Sequence, residues 1–161
     1  MKRILYHMLS VLSYILRPFR NGIYLKVLQK AYELQGVKFL GQIGYIHYDA
    51  YIDNVGQIEL GKNVVISTKA IILSHDHSPK VRILANGCGE YNPYSYVRIG
   101  SNSFIGAGAI VLPGTIIGDY CIIGAGAVVK GCIPSYSIVV GNPAKIIKST
   151  KEQYELSFNN L

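Results

Sequence analysis

The chain has little cysteine: three residues in 161, at Cys88, Cys121 and Cys132. None of them forms a C-x-x-C pair, so the sequence does not indicate a disulfide framework. Chains without such a framework are typical of reducing compartments. We therefore predict a cytoplasmic protein.

Long hydrophobic runs are also missing. The apolar stretch near the N-terminus is too short and too interrupted to span a bilayer. Lys2 and Arg3 precede it, as basic residues do in a secretory signal peptide, but no small-x-small cleavage site follows. We therefore expect neither a membrane-spanning helix nor a cleaved leader in this segment.

Acidic residues are scarce in the first forty positions. Seven basic side chains accompany a single acid there, Glu33, whereas the other 121 residues hold nine basic and eight acidic groups. Six of the seven net positive charges therefore belong to the N-terminal segment. Because the remainder is nearly neutral and has no aromatic-plus-basic recognition pattern, we expect no nucleic-acid partner.

The N-terminal segment predicts two short helices, since its apolar residues recur at helical spacing. Pro18 is expected to end the first helix, Asn21-Gly22 to form a turn, and Gly36 to stop a second helix over residues 23–35. Two roles remain open for residues 1–35. The helices pack on the following domain or a neighbouring subunit, or their basic amphipathic face lies on an anionic membrane. The first apolar stripe is Leu5, Met8, Leu9, Leu12, Ile15, Leu16 and Phe19.

A six-residue period dominates the rest of the chain. A helix repeats its buried face about every 3.6 residues and a strand about every 2, so neither explains a period of six. Short flat strands joined by tight turns do explain it, because three such sides close one coil of a triangular prism. The strict positions are Ile99, Ile105, Val111, Ile117, Ile123 and Val129. Earlier positions in phase are Leu40, Ile46, Ile52, Leu60, Ile66 and Ile72, with two extra residues before Leu60.

Small residues and glycines keep the same phase. A small side chain stands two positions before each apolar one, as expected where a prism corner leaves little room. Cys121 takes such a position, which predicts a packing role. The small residues are Ser103, Ala109, Thr115, Cys121 and Ala127. Glycine follows the apolar residue at Gly100, Gly106, Gly118 and Gly124, where we expect a sharp bend or a positive φ.

The segment over residues 97–148 resembles the hexapeptide-repeat acyltransferases, and more narrowly their xenobiotic, galactoside and polysaccharide O-acetyltransferase branch. The motifs that carry the resemblance are Ile105-Gly106-Ala107-Gly108-Ala109, Ile123-Gly124-Ala125-Gly126-Ala127 and Gly141-Asn142-Pro143-Ala144-Lys145. The resemblance implies an all-β fold, a left-handed parallel β-helix with acetyl-CoA bound in the grooves of a homotrimer. We divide the chain into N-terminal helices at 1–39, the β-helix at 40–148, and a tail at 149–161.

The resemblance also implies which residues bind acetyl-CoA. Ala107 and Ala125 match positions whose main chain contacts the pantetheine arm, on a wall without bulky side chains. Two lysines of the terminal motif match basic groups near the nucleotide phosphates, where relatives often have arginine, and a third can assist from a neighbouring corner. The expected acetyl-CoA residues are Gly106, Ala107, Ala125, Lys130, Lys145 and Lys148.

The repeat is interrupted once. Ile72 and Ile99 are 27 positions apart where six would continue the pattern, so about twenty-one residues are extruded. We assign this loop to residues 75–96. An excursion of that size costs ordering entropy and adds little core, which favours a functional loop that lines or closes the acceptor site. A tolerated surface insertion is the alternative.

His75, at the start of the loop, is the predicted catalytic base. A thioester is already activated, so acetyl transfer mainly needs a deprotonated acceptor, and imidazole suits that task near neutral pH. In related O-acetyltransferases a histidine at the start of such a loop takes the acceptor proton, and alignment implies His75. His77 is its competitor. Either Asp49 or Asp53 of the previous coil is a candidate to orient the ring.

The sequence therefore predicts an acetyl-CoA-dependent O-acetyltransferase that modifies a sugar hydroxyl in surface polysaccharide synthesis, with an acceptor that can be lipid-linked. A nucleotide-sugar N-acetyltransferase, a serine-acetyltransferase-like enzyme and a non-catalytic trimeric scaffold are the alternatives. A metal site like that of carbonic-anhydrase-like β-helix proteins is not expected. His7 lies in the N-terminal helix, and the spacing of His47, His75 and His77 does not fit one.

Overall fold

The structure, a computed structural model, describes residues 2–16, 22–53, 55–87 and 92–152. Within these ranges the helices are α1 (Lys2–Leu16), α2 (Ile23–Leu34) and α3 (Ser78–Asn86). The strands are β1 (Lys38–Phe39), β2 (Tyr45–Ile46), β3 (Tyr51–Ile52), β4 (Ile58–Leu60), β5 (Val65–Ile66), β6 (Ile71–Ile72), β7 (Val97–Ile99), β8 (Phe104–Ile105), β9 (Ile110–Val111), β10 (Ile116–Ile117), β11 (Ile122–Ile123), β12 (Val128–Val129), β13 (Cys132–Ile133), β14 (Ser137–Val140) and β15 (Lys145–Ser149). The expectations for Pro18, Asn21, Cys88 and most of the C-terminal tail fall outside the described residues.

The strands form three sheets around one core. Sheet 1 has the order β1-β4-β7-β10-β13, sheet 2 the order β2-β5-β8-β11-β14-β15, and sheet 3 the order β3-β6-β9-β12. Neighbouring strands are parallel throughout, except for the antiparallel pair β14 and β15. Because the chain visits the three sheets in turn, three consecutive strands complete one coil of the predicted triangular prism.

The hexad residues fill the interior of this prism. Equivalent residues of successive coils pair within one sheet, as Ile99 does with Ile117 and Ile105 with Ile123. The small corner residues are buried as well, and burial raises the pKa of the Cys121 thiol. Side chains of the strict repeat without exposed surface are those of Ile99, Ile105, Val111, Ile117, Ile123 and Val129. The sixfold pattern is therefore confirmed as a packing pattern.

At the first coil the predicted phase is wrong by one residue. Leu40 is 46% exposed, whereas Phe39 pairs with Leu60 in sheet 1 and packs against the core. Seven positions separate Phe39 from Ile46, so the first side of the prism has one residue more than a hexad. The extra residue lets Leu40 turn outward.

The hexad glycines have a different cause from the one expected. Gly100, Gly106, Gly118 and Gly124 are absent from the positions with positive φ. Instead, a Cβ at Gly100 would lie 2.4 Å from the carbonyl carbon of Gly118, and one at Gly106 would lie 2.6 Å from the Ala125 nitrogen. Glycine is required here because stacked coils approach to about 4.8 Å.

The second helix closes the N-terminal end of the prism. α2 ends at Leu34, one residue before the predicted end, and Gly36 follows with a φ of 101°. Leu28 and Tyr32 are buried and belong to the hydrophobic core of the first coil. α2 therefore takes the first of the two roles left open for the segment, packing on the following domain. None of the described helices is long and apolar enough to cross a membrane.

The chain leaves the prism between β6 and β7. Leu60 pairs with Ile99, 39 positions later, whereas Ile99 pairs with Ile117 after 18, so the excursion adds 21 residues. It contains α3, a helix that the sequence reasoning did not predict, which Gly87 ends with a φ of 71°. The excursion therefore has a helix of its own.

Candidate active site

The backbone around His75 is fixed at the base of the extruded loop. His75 and Tyr94 form an isolated antiparallel bridge. The Asp76 N–H donates to the Pro93 carbonyl at 2.7 Å, and the Ser95 N–H donates to the Ser74 carbonyl at 2.8 Å. His75 keeps 27% of its side chain exposed. The loop thus holds this imidazole at the surface on a rigid base.

A buried carboxylate orients the His75 ring. Nδ1 of His75 is hydrogen-bonded to Oδ2 of Asp53, and the same oxygen accepts the N–H and the hydroxyl of Ser74, each at 2.9 Å. Oδ1 accepts the Val55 N–H at 3.1 Å. Since a carboxylate accepts only from a protonated Nδ1, the lone pair of the neutral ring lies on Nε2.

Asp53 is the orienting partner that the sequence left open between two aspartates. Its side chain has no exposed surface. Burial raises the pKa of Asp53, but the hydrogen bonds from His75, Ser74 and Val55 outweigh burial and hold the pKa below its ordinary value. The carboxylate is therefore ionised at neutral pH and stabilises a positive charge on the ring.

The second predicted histidine lies beside the first. His77 precedes α3 as its N-cap residue, and its ring centroid is 5.3 Å from that of His75, at an interplanar angle of 70°. Between them, Asp76 accepts the N–H and the hydroxyl of Ser78, each at 2.7 Å. The structure thus brings both histidines together, and the buried Asp53 contacts His75.

The glycine-alanine motifs stack along one edge of the prism, which we name the Gly-Ala edge (residues 106–109 and 124–127). The Gly106 N–H donates to the Ile123 carbonyl at 2.8 Å, and the Gly126 N–H donates to the Ala107 carbonyl at 2.9 Å. This edge joins sheet 2 to sheet 3. It brings together Gly106, Ala107 and Ala125, three of the residues expected to bind acetyl-CoA.

Lys145 follows a turn that covers the same edge. Val140 stacks on Gly124, since a Cβ at Gly124 would lie 2.8 Å from the Val140 side chain. Lys145 pairs with Val140 across the antiparallel strands, and the Ala144 N–H donates to the Val128 carbonyl at 3.1 Å. Lys145 therefore lies one strand beyond β14, which is itself one coil above Gly124.

Lys148 and Lys130 lie elsewhere. Lys148 pairs with Ile138, further along β15 and away from the edge. Lys130 follows β12 on the edge between sheets 3 and 1, two coils above Leu73, as the backbone hydrogen bonds of Leu73 and Leu112 show. His75 leaves the prism at that second edge, which we name the histidine edge (residues 73–75, 112 and 130). Within one chain, sheet 3 separates His75 from the Gly-Ala edge.

A second histidine–aspartate pair was missed by the sequence reasoning. Nδ1 of His47 is hydrogen-bonded to Oδ1 of Asp49. Oδ2 of Asp49 accepts the Thr68 hydroxyl at 2.8 Å, and Oδ1 accepts the Lys69 N–H at 3.0 Å. Burial raises the pKa of Asp49, but these bonds overcome burial and lower the pKa to about 2. The signal in the sequence is the His-x-Asp spacing directly after a hexad residue, Ile46.

Metal ligands are not gathered anywhere in the part of the chain that the structure describes. No group of three or more histidine, cysteine, aspartate or glutamate side chains is arranged there to hold an ion. The loop base offers an oriented imidazole beside a buried carboxylate.

Comparison with known proteins agrees with this architecture. The family of bacterial transferase hexapeptide repeats (six repeats) matches residues 96–131. A predicted lipopolysaccharide biosynthesis O-acetyl transferase of Escherichia coli, WbbJ, is 30% identical over 136 residues, which are 76% of this chain and 65% of the relative. The chain belongs to the hexapeptide-repeat transferases.

Other relatives of this hexapeptide-repeat transferase carry similar names. A predicted acetyltransferase of Mycobacterium tuberculosis, Rv3034c, is 38% identical over 110 residues, which are 68% of this chain and 36% of that protein. The chain thus spans between about a third and two thirds of the length of the curated relatives it matches.

Solved structures support the left-handed β-helix. A maltose O-acetyltransferase from Clostridium difficile superposes with a TM-score of 0.64 at 26% identity, over 92% of this chain and 87% of the other. A galactoside acetyltransferase in complex with coenzyme A gives 0.62 at 19% identity, over 96% of this chain and 83% of the other, which is a likeness of fold. The predicted family and the predicted left-handed β-helix of each chain are confirmed.

Proposed function

We propose that this hexapeptide-repeat transferase is an acetyl-CoA-dependent O-acetyltransferase that modifies a sugar hydroxyl. The observation that carries the proposal is His75, an exposed imidazole whose Nδ1 is held by the buried Asp53 at the base of the extruded loop. Such a pair is a general base with a fixed tautomer. It stands on a β-helix whose glycine-alanine edge has room for a long, narrow donor.

In the proposed mechanism, Nε2 of His75 accepts the proton of the acceptor hydroxyl while that oxygen attacks the thioester carbonyl. The carbon–sulfur bond breaks, the acetyl group stays on the acceptor oxygen, and the protonated ring returns its proton to the leaving thiolate. Asp53 stabilises the ring while it is positively charged. Main-chain N–H groups can stabilise the oxyanion. Those of Gly106 and Gly108 already donate to the carbonyls of Ile123 and Thr68, so the proposed donor is another main-chain N–H of the Gly-Ala edge. No cysteine takes part in these steps.

The acetyl-CoA arm is assigned to the Gly-Ala edge. Extended amide chains bind to backbone groups, and Ala107 and Ala125 offer theirs beside Gly106 and Gly124, which carry no side chain. Lys145, in β15 beyond β14, supplies a positive charge for a phosphate. Lys148 and Lys130 are further candidates for the nucleotide phosphates, from β15 and from the histidine edge.

A homotrimer completes the proposed site. His75 and the Gly-Ala edge flank sheet 3 from opposite sides, so a neighbouring copy is needed to bring one beside the other. A closed ring of three copies uses two different faces of each chain. The outward residues of sheets 2 and 3 are apolar or aromatic, as with Phe104 and Tyr51, and suit such contacts. Sheet 1 instead carries the exposed ion pair of Lys38 with Glu59, at 2.8 Å.

The proposed acceptor is a saccharide of surface polysaccharide synthesis, such as capsule, exopolysaccharide or lipopolysaccharide, either free or lipid-linked. Support comes from the names of WbbJ and of the maltose O-acetyltransferase. The proposed location is the cytoplasm, including the inner face of the membrane. An amine of a nucleotide sugar is the second candidate acceptor, because the same base and donor site serve it.

The test is release of CoA thiol from acetyl-CoA with a panel of sugars, lipid-linked saccharides, nucleotide amino sugars and serine. We expect acceptor-dependent release with a saccharide hydroxyl. His75→Ala lowers kcat by about 10²–10⁴-fold, the usual contribution of a general base. His77→Ala, in the neighbouring ring, is the matched control and keeps most of the rate. If His77→Ala is the inactive variant, the assignment of the base is wrong.

A second outcome separates the enzyme from a scaffold. Acetyl-CoA binding without thiol release on any hydroxyl or amine acceptor would contradict the proposed catalysis. Release with an amine alone would replace the O-acetyltransferase by an N-acetyltransferase. Calorimetry with CoA measures binding independently of turnover.

A further inference from the structure

Helix α1 turns its polar side toward the protein. Ser13 is buried, Ser10 has a buried hydroxyl, and the Tyr6 ring lies 6.3 Å from that of Tyr32 in α2, centroid to centroid. An amphipathic helix on a folded domain ordinarily buries its apolar side. α1 does the reverse: among the described residues, its packing on α2 leaves the large apolar side chains of its other side exposed.

The exposed apolar side chains of α1 form one continuous surface. Met8 is 64% exposed and Ile15 59%, although each is a large apolar side chain. Contiguous apolar patches on a protein surface mark sites of interaction with another protein or with a membrane. We name this surface the outer face of α1, and its residues are Ile4, Leu5, Met8, Val11, Leu12 and Ile15.

The sequence of α1 and its flanks carries charge of one sign. Lys2 and Arg3 open α1, the helix contains no acidic residue, and Arg17 follows it in the sequence. The first forty residues hold seven basic groups and one acid. A surface that combines large apolar side chains with excess positive charge is complementary to anionic lipid, whose headgroups attract lysine and arginine.

We propose that the outer face of α1 docks on an anionic lipid bilayer, with the helix lying in the plane of the interface. Its 15 residues extend about 22 Å, short of the roughly 30 Å hydrocarbon core, so the helix does not span it. The apolar side chains enter the boundary between headgroups and acyl chains. The basic groups contact lipid phosphates.

A second copy of the chain fits the outer face less well. In a symmetric assembly, packing α1 on α1 would bring equal, strongly basic segments together, and like charges at an interface are repulsive. The remaining 121 residues are nearly neutral, with nine basic and eight acidic groups, and offer no excess of acid to balance them. Anionic lipid supplies both the apolar phase and the negative charge.

Docking would orient the whole prism. α1 packs on α2, and α2 closes the N-terminal end of the β-helix, so docking would hold that end of the prism near the membrane. Lipid binding does not require acetyl transfer, and the two proposals therefore fail separately.

The first test is co-sedimentation of the full chain with vesicles of phosphatidylcholine, with and without about one third phosphatidylglycerol. We expect binding to the anionic vesicles that weakens as salt is raised, since screening acts on exposed charges. Met8→Glu places a charge in the outer face and is expected to weaken binding at least about tenfold. Leu84→Glu is the matched control, because Leu84 is 75% exposed on α3, and it keeps wild-type binding.

A second test reports insertion directly. The chain has no tryptophan, so Met8→Trp introduces a single reporter. Its emission is expected to shift to the blue on anionic vesicles and to be quenched by brominated acyl chains. Leu84→Trp, on α3, is expected to show neither effect. Equal emission changes for both reporters would contradict docking through α1.

The oligomeric state tests the other possible occupant of the outer face, which is a second copy of the chain. Light scattering of Met8→Glu is expected to give the same molar mass as the wild type. A smaller assembly would show that the outer face binds another copy of the chain, and it would overturn the proposal. So would equal binding of the wild type and Met8→Glu to anionic vesicles.

Discussion

Asp53 Oδ2 binds Nδ1 of His75 although the two residues are 22 positions apart, on different coils of the prism. The contact depends on the register of sheet 3, where the Asp53 N–H donates to the Ile72 carbonyl at 2.9 Å. The stacking of coils that buries the core also sets the ring of the proposed base. The register of sheet 3 therefore both packs the core and positions the ring of the proposed base.

Asp53→Asn is expected to lower kcat by about 10²-fold or more with little change in the KM for acetyl-CoA. An amide in place of the carboxylate can donate to Nδ1 and so favours the tautomer with its proton on Nε2, which cannot accept another. Nitrogen NMR of the ring measures that tautomer directly. Ser74→Ala, which removes one donor to Asp53 but keeps the carboxylate, is the control. Unchanged kcat in Asp53→Asn would contradict the orienting role.

Asp49 is expected to make the fold sensitive to acid. Its pKa is lowered to about 2 in the folded chain, against 3.8 for an unperturbed group, so its ionised form favours the folded state. That contribution is complete above about pH 4–5 and is lost as the pH falls toward about 2. Thermal unfolding at about pH 5 and about pH 2.5 measures it.

The variant that tests this contribution is Asp49→Asn. Between about pH 5 and about pH 2.5, its melting temperature is expected to fall less than that of the wild type. Glu33→Gln, which removes one exposed carboxylate of α2, is the control for loss of a charge. An equal acid-induced fall in the wild type and Asp49→Asn would show that the bonds from Thr68, Lys69 and His47 do not stabilise the fold.

Gly100→Ala is expected to destabilise the chain by about 1–3 kcal/mol or to prevent folding, because the new Cβ overpacks the next coil. The nearest atoms, at 2.4 Å, belong to the backbone of Gly118, which cannot move without shifting the coil. Gly108→Asn is the comparison. A Cβ there meets nothing within 4 Å, and Asn102 already adopts the required positive φ at 57°.

Denaturant unfolding measures both glycine variants. Gly108→Asn is expected to stay within about 1 kcal/mol of the wild type, because asparagine tolerates the left-handed region. If the two variants were equally stable, the close approach of coils would not be the reason for glycine at position 100.

The hexad pattern was sufficient to predict the prism because each coil repeats the same steric requirement. It failed at Leu40, where one extra residue shifts the phase and no local signal marks it. The pattern did not predict whether Asp49 or Asp53 contacts His75. These two residues flank β3 and lie at different edges of the prism. Only the stacking of coils decides which edge meets His75. The inverted packing of α1 was equally hidden, since a helical period shows which residues share a face and not which way that face points.

Lys145→Ala is expected to raise the KM for acetyl-CoA roughly tenfold with little change in kcat, because one charge-assisted contact to a phosphate is lost. Lys145→Arg is expected to retain most of the affinity. If the contact is to the 3′-phosphate, the difference between wild type and Lys145→Ala disappears with acetyl-3′-dephospho-CoA.

The same KM measurements on Lys130→Ala and Lys148→Ala test whether these two lysines also contact the phosphates of acetyl-CoA. Lys30→Ala in α2, a 65% exposed side chain, controls for the loss of one positive charge. If Lys30→Ala and Lys145→Ala raised KM equally, the effect would be long-range attraction of an anionic donor rather than a contact at the Gly-Ala edge. A larger effect for Lys145→Ala that persists at high salt supports a direct contact, since salt screens distant charges more than touching ones.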